Sequence, residues 1–104
     1  MESVKPMYTI EFFQEVEDDL KQLDHRVRIL VFKQLKKLSL SPQLGDLLGN
    51  KAGMDLSGCR KMYVDNKRVR IVYRIIEEII IVEIIAVAAR DEMSVYHEAS
   101  KRLT

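Results

Sequence analysis

Arg68, Arg70 and Arg74 take even positions in the stretch from Arg68 to Ile76. In an extended chain their guanidinium groups project to one side together with Val72, while Val69, Ile71, Tyr73 and Ile75 project to the other. Lys61 and Tyr63 share a face of the preceding stretch in the same way, opposite Arg60, Met62 and Val64. Guanidinium groups on a common face suit polyanions, because Arg offers phosphate oxygens two parallel hydrogen bonds and keeps its charge at any physiological pH. A solvated sheet face is the ordinary alternative, since antiparallel sheets commonly leave one side to water.

Two residues further on change the weighting. Arg90 follows the nearly uncharged run Ala86-Val87-Ala88-Ala89, and Tyr96 lies six residues later on the first turns of the last helical pattern. Each has a plain structural reading, a surface arginine ending a strand and an aromatic anchoring a helix. Taken with Lys61 and Arg70 they form a candidate cluster. His97 has the side chain whose charge changes near neutrality, but as the neighbour of Tyr96 on a helix it points about a quarter turn away. His25 falls at a helix–helix turn, where a structural or solvated role is the simpler one.

These groups need a scaffold, and the composition bounds it. A chain of 104 residues, 47% hydrophobic and 32% charged, with four Gly and two Pro, is too apolar for disorder and too interrupted by charge for a membrane span. It fits one domain, residues 1–104. The formal charge is only +1, less than a dedicated nucleic-acid binder usually carries, but its distribution is uneven. Arg60, Lys61, Lys67, Arg68, Arg70 and Arg74 stand against the single acid Asp65, whereas Glu11, Glu15, Glu17, Asp18 and Asp19 crowd the N-terminal part. One cysteine, Cys59, cannot form an internal disulfide, and no zinc-type spacing is present. With no apolar leader in Met1 to Pro6, a cytoplasmic location is expected.

Periodicity orders the elements. Tyr8 to Phe12 alternates as a short strand; from Phe13 the apolar residues Phe13, Val16, Leu20 and Leu23 recur at helical steps. Asp24 is a plausible N-cap for a second helix, in which Val27, Leu30, Val31, Gln34, Leu35 and Leu38 make one stripe with Lys33, Lys36 and Lys37 off it. Ser39 to Ser57, with Pro42, Gly45, Gly49 and Gly53, is read mostly as loop. Cys59 to Val64, Arg68 to Ile76 and Ile79 to Ala89 follow as a meander of three strands, and Glu92 to Leu103 as a last short helix behind an N-cap at Asp91. The order β-α-α-β-β-β-α predicts an α+β domain: an antiparallel sheet, a helical hairpin on one face and a short C-terminal helix.

At these residues the chain resembles the RelE/ParE superfamily of type II toxins, in its RelE-like branch. The resemblance runs over nearly the whole chain: the opening strand, the hairpin, Ser41-Pro42, Arg70-Ile-Val-Tyr73 and the closing run from Ala89 to Leu103. It implies a RelE-like fold and a ribosome-dependent, metal-independent messenger-RNA endonuclease in which the 2′-hydroxyl attacks the adjacent phosphate. Arg70 then matches an arginine that contacts the scissile phosphate, and Lys61 the first of two lysines on the preceding strand. Arg90 and Tyr96 complete the catalytic set. Lys61 is the candidate base, Tyr96 the competing one, and Arg90 the acid or electrostatic partner. Tyr63 stands where a second lysine is expected and Glu92 where some members have arginine. Tyr63, Arg68 and Arg74 are expected to bind substrate. No cofactor is implied. The partners implied are a cognate antitoxin, in a hetero-oligomer, and the ribosome with its A-site message; no membrane is involved. The R-h-h-Y strand is shared with gyrase-directed relatives, so a non-nucleolytic ParE-like toxin, or a decayed one that only binds its antitoxin, is the alternative.

Overall fold

The computed structural model describes residues 7–89 and 92–104. Its elements are β1 (Thr9–Phe12), α1 (Val16–Lys21), α2 (His25–Leu40), β2 (Asp46–Lys51), β3 (Met54–Val64), β4 (Val69–Ile76), β5 (Ile81–Ala88) and α3 (Glu92–Leu103), with 3-10 turns at Pro42–Leu44 and Glu77–Ile79. The five strands form one sheet in the order β1-β5-β4-β3-β2. No helix among the described residues is long and apolar enough to cross a membrane.

Local chemistry accounts for the helices. The Asp24 carboxylate accepts from the Val27 backbone N–H at 2.9 Å, satisfying one of the donors left open at the start of α2. From there Val27, Val31, Leu35 and Leu38 fall on one buried stripe. Each such side chain contributes about 1.5–3 kcal/mol when fully removed from water. The helix stops at Ser41, ahead of Pro42. The first helix begins later than the apolar steps predict, because the Phe13 N–H is still bonded to the Ile84 carbonyl and prolongs the strand pairing.

The sheet departs from the expected meander in two ways. Its first strand is parallel to β5, with Thr9 opposite Ile81 and Phe12 opposite Ile84, so the sheet is mixed. And Ser39 to Ser57 is not mostly loop: Asp46–Lys51 pairs antiparallel with the first half of a β3 that starts at Met54. Gly49 and Gly53 sit inside a hairpin, and Gly45 ends the turn that leads into it. A register shift lies between Leu47 and Gly49, and Ala52 and Gly53 turn the chain with φ of 50° and 82°, the paired positive values that a tight two-residue hairpin turn requires.

Both faces of the sheet are used. Val69, Ile71 and Tyr73 join Val31, Leu35 and Leu38 in a core beneath α1 and α2. Val72, Cys59 and Ala86 join Leu48, Leu56, Val95, Tyr96 and Ala99 in a second core beneath α3. A register shift in β5 opposite Val72 and Tyr73 turns Ile85 and Ala86 both toward that second core. The third helix therefore covers part of the face that carries the even residues of β4.

Candidate active site

The alternation that puts Arg70, Val72 and Arg74 on one face holds, but the structure separates the cations that alternation had grouped. Arg74 lies four residues from Arg70, about 13 Å along a strand. It is bonded through Nε to Glu83 Oε1 at 2.6 Å, and its guanidinium sits 5.7 Å from the Phe13 ring. Arg60 lies on the opposite face, where alternation places it, and donates to the Gly45 carbonyl at 2.7 Å and the Gln43 carbonyl at 3.3 Å. Arg68 falls on the exposed β3–β4 turn rather than on the strand, near enough to help hold the Asp65 carboxyl low.

What converges is a smaller group around Tyr63. Tyr63 and Arg70 are direct cross-strand partners, and Lys61 is two residues back on the same face. The Lys61 ammonium donates to the Tyr63 hydroxyl at 3.0 Å, and the Arg70 guanidinium lies 5.3 Å from the ring centroid. A third cation joins them from outside both strands: Lys67, in the turn, is 5.7 Å from the same centroid. Strand alternation cannot find Lys67, since a turn residue has no face. The available signal was the tally of basic residues between positions 60 and 74.

Tyr96 is 1% exposed, packed in the second core with Val72, Ala86 and Val95. Arg90 lies outside the described residues, as does the side chain of Glu92. His97 is exposed and lines a cleft of about 640 Å³ between α1, the end of β5 and α3, together with Asp19, Ser94, Glu98 and Arg102. Lys61, Tyr63, Lys67 and Arg70 do not line that cleft.

Two contacts fix the strands that carry the cluster. Tyr73, fully buried on the helix side of β4, donates its hydroxyl to the Pro42 carbonyl at 2.7 Å and accepts from the Gly45 N–H at 2.8 Å. Burial pushes its pKa above the usual tyrosine value. It thereby ties the turn ahead of β2 to the strand bearing Arg70. On the other face, burial raises the pKa of the Cys59 thiol, which is 1% exposed and serves as packing.

An arrangement of this kind can bind a phosphodiester through two or three cations and lay a base against an aromatic ring. The chain is 29% identical over 96 residues to the mRNA interferase toxin RelE of Escherichia coli K12, covering 92% of this chain and 97% of that one. Among solved structures, an arginine double mutant of E. coli toxin RelE in the free state superposes with a TM-score of 0.73 at 28% identity, over 94% of this chain and 99% of that one. The RelBE2 toxin–antitoxin complex of Mycobacterium tuberculosis gives 0.68 at 28% identity, over 81% and 99%. No protein-family model matches the chain. Shared residues and shared topology along almost all of its length make the chain RelE-like in sequence and in fold.

Proposed function

We propose that this chain is the toxin of a type II toxin–antitoxin system and that it inhibits translation by cutting messenger RNA on the ribosome. The observation that carries the reading is the meeting of Lys61 and Arg70 at Tyr63 on one sheet face, in a chain 29% identical to a protein named an mRNA interferase.

In the reaction the 2′-oxygen forms a bond to phosphorus and the bond from phosphorus to the 5′-oxygen breaks. One proton leaves the 2′-hydroxyl and one is delivered to the departing oxygen. Arg70 faces the added negative charge on phosphorus, and a Lys61 that takes the 2′-hydroxyl proton as a neutral amine becomes a cation as that charge forms. Lys61 is the candidate base, with Tyr96 competing for that role, and Arg90 is the acid or electrostatic partner. The ribosome contributes position, holding the message in a reactive geometry that a site of so few groups does not impose alone. A cognate antitoxin, of the kind found with the M. tuberculosis relative, opposes the activity by covering Lys61 and Arg70 or by displacing α3.

The test is a bacterial cell-free translation system in which new messenger 5′ ends are mapped. The parent protein is expected to produce ribosome-dependent cuts. Arg70→Ala and Arg90→Ala are each expected to lower the rate about 10²- to 10³-fold, the usual loss for one electrostatic stabiliser. Because Tyr96 is buried, Tyr96→Phe is the variant that removes the hydroxyl and keeps the packed ring. Intact messages and normal translation with the parent protein overturn the reading in favour of a gyrase-directed or antitoxin-binding protein.

A further inference from the structure

The β3–β4 turn is more constrained than a chain reversal requires. Asp65, Asn66 and Lys67 all have left-handed backbone, with φ of 54°, 54° and 69°. Asn and Asp enter that region with some ease, but a lysine has no local hydrogen bond to favour it there. Glycine at position 67 would make the same turn without strain. The turn is also clamped from outside. Arg26, at the start of α2, donates from Nη1 and Nη2 to the two carboxylate oxygens of Asp65, each at 3.2 Å. The result is an exposed ammonium held 5.7 Å from the Tyr63 ring, which also has Arg70 at 5.3 Å and Lys61 on its hydroxyl.

Three cations from three backbone positions thus surround one aromatic ring. Like charges drawn together repel, and a polyanion bound among them offsets that repulsion. The geometry points to Lys67 as a substrate-binding residue that takes an RNA phosphate next to the one held by Arg70, with the Tyr63 ring between them and the Arg26–Asp65 pair positioning the turn. The chemistry divides accordingly. The planar fork of Arg70 suits two oxygens of one phosphate, while the flexible point charge of Lys67 follows the neighbouring phosphate of a strand. This inference rests on the endonuclease reading and extends its site by a residue that strand alternation does not reach.

The experiment is single-turnover message cleavage on a fixed amount of ribosome–message complex as the protein concentration is raised, at several salt concentrations. Lys67→Ala is expected to raise the half-saturating concentration severalfold and leave the saturated rate unchanged, with Lys67→Arg restoring the parent value. Loss of one phosphate contact is expected to make the plot of log half-saturation against log salt shallower by about 0.7. Arg26→Gln should shift half-saturation in the parent background and have no further effect in the Lys67→Ala background, because it acts only through the turn. Arg70→Ala should instead lower the saturated rate. If Lys67→Ala matches the parent in half-saturation and salt slope while Arg70→Ala loses rate, the inference is overturned and the endonuclease reading stands. A parent protein that cuts no message on ribosomes overturns both.

Discussion

Asp19 and Arg102, 83 residues apart in sequence, meet as a two-pronged ion pair, with Nη1 to Oδ2 at 2.7 Å and Nη2 to Oδ1 at 2.9 Å. The pair also closes the backbone of β5. The bond from the Phe13 N–H to the Ile84 carbonyl ends the cover that β1 gives this edge. Beyond that point Asp19 accepts from the Val87 N–H at 3.0 Å and Arg102 donates to the Ile85 carbonyl at 2.9 Å. One pair of side chains thus joins α1, the irregular part of β5 and the last turn of α3.

Both side chains are largely withdrawn from water, 9% exposed for Arg102 and 13% for Asp19. Asp19→Asn or Asp19→Ala leaves the buried guanidinium only the half-exposed Glu98 carboxylate, at 3.7 Å, so it is expected to lower stability by up to about 3–5 kcal/mol. Urea unfolding followed by circular dichroism reads this directly. Replacing both residues by apolar ones of similar volume should recover only part of the loss: the desolvation of two charges disappears, but the Val87 N–H and the Ile85 carbonyl lose their partners.

A second prediction concerns the tie between Tyr73 and the turn ahead of β2. Tyr73→Phe removes the partner of two backbone groups, the Pro42 carbonyl and the Gly45 N–H, and is expected to cost about 1–3 kcal/mol. Gly45→Ala should be worse tolerated for a steric reason. A Cβ there would lie 2.5 Å from the Lys61 carbonyl oxygen and 2.6 Å from the Tyr73 hydroxyl, neither of which can give way without moving a strand. Since one of those strands carries Lys61, the variant should lose cleavage activity along with thermal stability, whereas a substitution at exposed Lys36 should change neither.

The Arg26–Asp65 clamp has a definite pH window. The hydrogen bonds from Arg26 hold the Asp65 carboxyl below its usual range, while in the unfolded chain it titrates at about 3.9. A folded pKa depressed in this way contributes stability that is complete above the unfolded pKa and is lost as the pH falls through the folded value. The turn should therefore be unchanged from about pH 7 to 5 and loosen only below about pH 4. Amide chemical shifts of Asn66 and Lys67 across that range should move in the parent protein. In Asp65→Asn the step should be absent.

The helices were legible because their causes are local. The N-cap at Asp24 and the spacing of Val27, Val31, Leu35 and Leu38 place α2, and the steps Val95, Ala99 and Leu103 place α3 with the bounds the pattern predicts. The second strand was not legible, since Gly49 and Gly53 carry the same letters in a loop as in a hairpin with an irregular register. Only the pairing of Asp46 with Lys61 and of Lys51 with Met54 shows which they serve. Nor could the parallel pairing of β1 with β5 be read from alternation, which records the faces of a strand and not its neighbours.

The candidate site divides along the same line. The order of residues already determined that Lys61 and Tyr63 share a face of β3 and that Arg70, Val72 and Arg74 share a face of β4, because side-chain direction in a strand repeats every two residues. Which of those groups meet was decided by contacts distant in sequence. Glu83 engages Arg74. The register of β3 against β4 brings Arg70 to Tyr63, and the left-handed turn clamped by Arg26 adds Lys67. Period and capping act within a few residues, whereas register, turn handedness and ion pairing depend on the packing of segments that the chain brings together only on folding.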